Sequence, residues 1–192
     1  MPETLRKTAL HDEHVALDAK LVPFAGFEMP IHYPTGIREE HRTVRRAAGL
    51  FDVSHMGEVD VRGPQALDLV QHLTVNDASR LEVGQAQYSA VCREDGGVLD
   101  DLLVYRLADR FMIVVNAANR EKDGAWLEAH AGSFDAEVTD RSDEIALLAL
   151  QGPRAQEILD PLADHDLDGI GYYRFSEGRI AGTELLVSRT GY

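Results

Sequence analysis

Two adjacent acids, Asp100 and Asp101, interrupt an otherwise apolar run in GGVLDDLLVYR, residues 96–106. A β-strand sends successive side chains to opposite faces, so one of the two points to the interior side. An ionised carboxylate buried without a partner costs several kcal/mol, and such a residue needs a use. Alternation places Leu99, Asp101, Leu103 and Tyr105 on one face and Val98, Asp100, Leu102 and Val104 on the other. Asp101 and Tyr105 are therefore expected to face one pocket. Two uses remain open for the inward acid. It pairs with an arginine or with backbone amides, or it acts on a ligand as a hydrogen-bond or proton acceptor.

The other chemistry-bearing residues give weaker patterns. HDEH, at His11 to His14, sets two histidines three apart, without the HExxH spacing of a zinc protease or a third ligand. Ser54 and His55 are neighbours in DVSHM, and adjacent side chains of an extended segment diverge, which disfavours a nucleophile pair and makes His55 a satisfied structural histidine. Cys92, the sole cysteine, sits in an apolar strand and reads as a small core residue. No nucleophile elbow, P-loop or dinucleotide fingerprint occurs.

These residues need elements to hold them. QAQYSAVC, GGVLDDLLVYR and RFMIVVN are predicted strands, with a hairpin turn at Asp95 to Gly97, and AANREKDGAWLEAHAG a helix. Upstream, VPFAGFEMPIHYPTG reads as an irregular packed segment. IREEHRTVRRAAG reads as a helix with Ile37, His41, Val44 and Ala48 on one stripe and Gly49 as its stop. FDVSHMGEVDVRGP becomes a strand from about residue 57. IGYYRF and GRIAGTELLVSRTGY are further strands. VDVRGPQALDLVQHL and LLALQGPRAQEILDPL echo one another as strand, Gly-Pro turn and helix, with Ala66, Leu69, Val70 and Leu73 in register with Ala155, Ile158, Leu159 and Leu162. Proline in a first helical turn loses no needed N–H, so each Gly-Pro marks a strand-to-helix switch.

The 192 residues suffice for a full core, and the formal charge of −14 opposes nonspecific binding to nucleic acid or anionic membranes. No apolar run of membrane-spanning length and no secretory leader is seen, and the expected location is the cytoplasm. Lysine occurs only at Lys7, Lys20 and Lys122 amid many acids, a balance expected of a halophilic, high-salt cytoplasm in which salt screens self-repulsion.

PFAGFEMPIHY, GLFDVSHMGE, QYSAVCREDGGVLDDLLVYR, VVNAANREKD, LALQGPRAQ and VSRTGY occur in the order and spacing of the aminomethyltransferase (T-protein) family of the glycine cleavage system. The sequence resembles that family from about Thr8 to Tyr192. The resemblance implies an α+β, cloverleaf-type folate-binding fold with two of its three domains represented. One is discontinuous, at residues 1–50 and 141–192, and the second lies at 51–140. It implies tetrahydrofolate as substrate and cofactor and a lipoyl arm on the partner H-protein as aminomethyl donor, with ammonia and 5,10-methylenetetrahydrofolate as products. The family's essential acid falls on Asp101, which makes Asp101 the inward acid and Asp100 a structural or solvated partner. Met56, Tyr88, Tyr105, Asn116, Tyr172, Tyr173 and Tyr192 fall on residues lining the folate site. Family members continue beyond the TGY motif with a Glu-bearing segment, folate-binding arginines and a further domain, so a chain of this extent is expected to bind folate weakly or not at all. A related demethylase acting on dimethylglycine, sarcosine or a sulfonium compound, and a noncatalytic folate-binding fragment, are the alternative readings. A folate-binding iron-sulfur assembly protein of the same fold is disfavoured because its Lys-Gly-Cys signature is missing here.

Overall fold

A computed structural model describes residues 4–191. Tyr192, one of the residues matched to the folate site, lies outside the described residues. The protein is α+β, with helices packed on antiparallel sheets, and every pairing between its named strands is antiparallel.

The N-terminal part holds α1 (His11–Ala16), β1 (Lys20–Phe24), β2 (Phe27–His32), α2 (Ile37–Arg46) and β3 (Gly49–Asp52). The stretch expected to be irregular is a hairpin. Ala25 and Gly26 both take positive φ (47° and 81°), the backbone of a two-residue turn whose twist matches its strands. Pro23 and Pro30 hide this, because proline cannot donate to a ladder and is tolerated only in such a narrow, edge-like sheet. Helix α2 forms as expected, but no residue on it is buried, Ile37 is exposed, and Gly49 begins a strand rather than stopping the helix.

The main sheet has the order β5-β6-β7-β4-β8, built from β4 (Gly57–Arg62), β5 (Gln85–Cys92), β6 (Val98–Arg106), β7 (Phe111–Val115) and β8 (Glu137–Asp140). On one face α3 (Ala66–Leu73) and α4 (Arg120–Ala131) bury Leu69, Val70, Leu73 and Leu127 against Val59, Val61, Leu102, Val104, Ile113 and Val115. The opposite face gathers Ala86, Tyr105 and Val114 with Met56, Leu103 and Met112. It is covered at one end by Phe175 and Leu186 from β10 (Phe175–Ile180) and β11 (Thr183–Ser188), together with Tyr173 just before β10. Strand β7 lies between two covered faces, which is why it reads as a continuous apolar run rather than an alternation. Tyr172 and Tyr173 are not in a strand. They form the turn before β10, with Tyr173 at φ 57°.

The two echoed segments are built alike. Strand β4 leads through Gly63 and Pro64 into α3, and β9 (Leu148–Gln151), which pairs with β3, leads through Gly152 and Pro153 into α5 (Ala155–Leu159). Gly63 and Gly152 have φ of 112° and 127°, and a Cβ on either would stand 2.6 Å from the Asp135 carbonyl oxygen or 2.5 Å from that of Ala47. The same two carbonyls accept the next free N–H in each copy, Gln65 to Asp135 at 3.0 Å and Arg154 to Ala47 at 2.9 Å.

Candidate functional site

Strand β6 contains a bulge. Cys92 pairs with Val98 and Val91 with Asp100, leaving Leu99 as the extra residue. Leu99 therefore packs on the helix-side core instead of sharing a face with Asp101, and half-buried Cys92 sits beside the irregularity rather than inside the core. From Asp100 onward alternation is regular. Asp100 turns toward α4 and is partly buried, while Asp101 lies on the opposite face and is exposed. The expected assignment of the inward position is thus reversed: the acid toward the helix layer is Asp100.

Asp101 is held by two donors. The Tyr88 hydroxyl donates to Oδ2 at 2.8 Å, and the Asn116 amide nitrogen donates to Oδ1 at 3.0 Å. Tyr88 reaches it because Tyr88 pairs with Leu103 and Ala90 pairs with Asp101, which makes Tyr88 and Asp101 diagonal neighbours on one face. Asn116 reaches it from the end of β7, where the chain leaves the sheet into a short 3-10 turn. The same amide nitrogen lies 3.2 Å from both oxygens of Asp100 and 3.1 Å from the Asp101 carbonyl oxygen. A carboxylate offers about four lone-pair directions. With one donor on each oxygen, Asp101 keeps acceptor capacity on its solvent side.

Tyr105 shares the face of Asp101 but lies two pleat repeats away, roughly 13 Å along the strand. Its ring packs against Phe175 at 5.4 Å, and its hydroxyl is shared with Ser188 (3.2 Å) and Thr190 (3.1 Å). Tyr105 therefore anchors the C-terminal hairpin and stands apart from Asp101 along their shared face. Tyr173 packs on the same apolar face with Tyr172 edge-on at 4.8 Å, and Tyr172 is 69% exposed. Met56 packs on this face from just before β4. The structure thus brings Tyr88, Asp101 and Asn116 together, sets Met56, Tyr105 and Tyr173 along the adjoining apolar face, and leaves Tyr172 at its rim. Clefts of about 180 and 220 Å³ lie elsewhere, one lined by Arg6, Thr8, Arg120 and Asp143, the other by Gln151, Leu159, Leu167 and Arg189.

Two acids escaped the sequence reading. Asp123 on α4 is buried, with its carboxyl pushed up to about 7 by burial and by the neighbouring Asp100, against the pull of Lys122. Burial alone would raise Asp100 as well, but hydrogen bonds from Asp123, Asn119 and Asn116 hold it below the usual carboxylate range. The signal for Asp123 was present: Arg120, Asp123 and Leu127 stand three and four apart, on one helix face. Glu58 is the second, in the cross-strand row Tyr88, Leu103, Val114, Glu58. It is 1% exposed, neither oxygen has a hydrogen-bond partner among the described residues, and burial raises its carboxyl to about 7, with Arg120 opposing and Asp140 reinforcing. Its neighbour Asp60 instead meets Arg62, Arg110 and Arg141. GEVDVR alternates as if half-exposed, and only the layer over its second face makes Glu58 buried.

The histidines have structural surroundings. His11 meets Glu28 at 2.8 Å, and His14 meets Asp52 at 3.0 Å and the Tyr33 hydroxyl at 2.9 Å. Among the described residues no group of three or more acids, histidines or cysteines could hold a metal. His55, expected to be satisfied, has no partner for its buried Nδ1 among the described residues and instead packs edge-on against Phe24 and Phe27 at 5.4 and 6.3 Å, where burial lowers its basicity.

Fold and site define an α+β protein whose main sheet is covered by helices on one face and presents, on the other, an exposed acid beside an apolar floor. The chain belongs to the GCVT N-terminal domain family, whose model matches residues 10–192. It is 54% identical over 189 residues to an aminomethyltransferase of Rubrobacter xylanophilus, covering 98% of this chain and 50% of that protein. The glycine cleavage system aminomethyltransferase T of Bartonella henselae superposes with a TM-score of 0.83 at 39% identity, over 92% of this chain and 48% of that one. The heterotetrameric sarcosine oxidase of Corynebacterium sp. U-96 shares the fold, with a TM-score of 0.63 at 20% identity over 98% of this chain and 83% of that chain. The chain spans about half the length of the curated relatives it matches.

Proposed function

We propose that the protein to which this chain belongs is a tetrahydrofolate-dependent aminomethyltransferase of the glycine cleavage system, with this chain supplying its catalytic acid, Asp101. The observation that supports this most is the exposed Asp101 carboxylate, fixed by Tyr88 and Asn116 at the edge of an apolar face in a chain half identical to named aminomethyltransferases. The surroundings suit a reduced pterin: a free acceptor for its N–H groups, with Leu103, Met56 and Tyr173 as apolar and aromatic surface. Bound tetrahydrofolate supplies the nucleophilic nitrogen that takes the one-carbon unit. Asp101 accepts a hydrogen bond from the folate, orients the amine, and stabilises positive charge developing beside it. Tyr88 and Asn116 keep that carboxylate in one rotamer, so little reorganisation is needed at the moment of transfer.

The aminomethyl donor in this reading is the lipoyl group of H-protein, and the location is the cytoplasm; no helix among the described residues is long and apolar enough to cross a membrane. The two-part division, 1–50 with 141–192 around 51–140, belongs to the same proposal. It is supported by the pairing of β3 with β9 and by the main sheet's origin within residues 57–140. The test is ammonia release by protein expressed from the complete reading frame. Release should require both lipoylated H-protein bearing the aminomethyl group and tetrahydrofolate. Demethylation of sarcosine or dimethylglycine without the carrier would instead place the protein among the related demethylases.

A further inference from the structure

We propose that buried Asp123 and partly buried Asp100 form an acid pair sharing one proton, carried by Asp123, and that this pair is a positioning element which fixes the orientation of the Asn116 amide against Asp101. The inference rests on the reading of Asp101 as the ligand-facing acid. Its starting point is a gap in hydrogen bonding. The Asp123 side chain is 2% exposed, and neither oxygen receives a hydrogen bond from a described residue. The nearest cation, Lys122 Nζ, stands 3.7 Å from Oδ1 and donates at 2.8 Å to the Leu99 carbonyl. A buried carboxylate cannot persist ionised in such a place beside a second carboxylate, and two acids in contact settle on one shared proton. A protonated Asp123 becomes a donor, and Asp100 is the acceptor in contact with it.

The proton belongs on Asp123, since Asp100 has the other donors: Asn119, and the Asn116 amide nitrogen at 3.2 Å. The opposing directions of the two carboxyls, Asp123 raised and Asp100 lowered, agree with this division. Asn116 then faces an ionised Asp100 on one side of β6 and Asp101 on the other. Its NH2 has two hydrogens, one for each acid, so its amide oxygen must point away from both. A second deprotonation of the pair, or loss of the Asp123 donor, removes the balance that holds this orientation and loosens the support of Asp101.

The spectroscopic test needs neither folate nor carrier, so it stands apart from the fate of the aminomethyltransferase reading, on which only the turnover comparison depends. In carbon-13 carboxyl spectra of the 192-residue chain, one aspartate should titrate near pH 7, and the Asn116 side-chain NH2 resonances should move with the same midpoint. Asp123→Asn, whose amide N–H replaces the acid O–H without titrating, should abolish both changes. In the complete protein, Asp123→Ala should lower kcat roughly tenfold, consistent with loss of one positioning hydrogen bond, and Asp123→Asn should recover most of that loss. The proposal is overturned if every aspartate near Asn116 titrates below about pH 5, the ordinary range for aspartate. It is also overturned if the Asn116 resonances ignore the titration, or if Asp123→Asn is as impaired as Asp123→Ala.

Discussion

At the scale of single residues, the acids divide into those with donors and those without. Asp101 has Tyr88 and Asn116, Asp60 has three arginines, and Glu58 has no donor among the described residues. The folded state holds a proton on Glu58 up to about pH 7, whereas the unfolded chain releases it near the ordinary glutamate value. The folded state therefore binds more protons between those limits, and stability falls as pH rises through that window. Glu58→Gln removes this titration. Its unfolding free energy at pH 8 should exceed that of the wild type by about 1–3 kcal/mol and converge on it near pH 4.5. Denaturant titrations at the two pH values measure this, and a variant less stable at pH 8 would count against an unpaired buried acid. The Asp100–Asp101 pair shows how far residue-level reading goes. Alternation established that the two face opposite ways, but which faced the helices depended on the bulge at Leu99, and nothing in GGVLDD reports a bulge.

At the scale of elements, the Gly-Pro echo was the most legible feature of the sequence, because it is written in residues with narrow backbone preferences. Gly63 and Gly152 serve one purpose twice: each lets a carbonyl from another segment approach where a Cβ would stand and accept the following N–H. Gly63→Ala and Gly152→Ala should each lower stability by about 2–4 kcal/mol, from positive-φ strain plus a backbone clash. Gly26→Ala, at positive φ but with open space around it, should cost only about 1 kcal/mol. Equal losses at all three sites would mean that the close carbonyl approach contributes nothing. The strands of the main sheet were legible for a similar reason, since QAQYSAVC matches β5 from end to end. The β1–β2 hairpin was not, because its prolines mimic a loop and an Ala-Gly turn is a weak signal. Tyr172 and Tyr173 read as strand residues because an aromatic pair has high β-propensity, whereas the positive φ of Tyr173 puts them in a turn.

At the scale of the whole molecule, the formal charge of −14 and the unpaired buried acids act in the same direction, both favouring mild acidity over neutrality. The carboxyls of Asp52, Asp100 and Asp140, held low by hydrogen bonds despite burial, oppose them only at lower pH, where their protonation removes stability. Maximal stability is expected between about pH 4 and 6 at low salt. If the acidic surface reflects a high-salt interior, molar potassium chloride should raise the melting temperature at pH 8, and an unchanged or lower value would remove that reading. In the proposed function two adjacent acids divide the labour, Asp101 meeting the ligand and Asp100 supporting the strand and Asn116. The most direct test of that division is turnover and melting temperature, side by side, for Asp100→Asn and Asp101→Asn in protein from the complete reading frame. Asp101→Asn should lose about 10²–10⁴-fold in folate-dependent ammonia release with its melting temperature nearly unchanged, while Asp100→Asn should melt several degrees lower and lose less activity. Near wild-type turnover in Asp101→Asn would contradict the account.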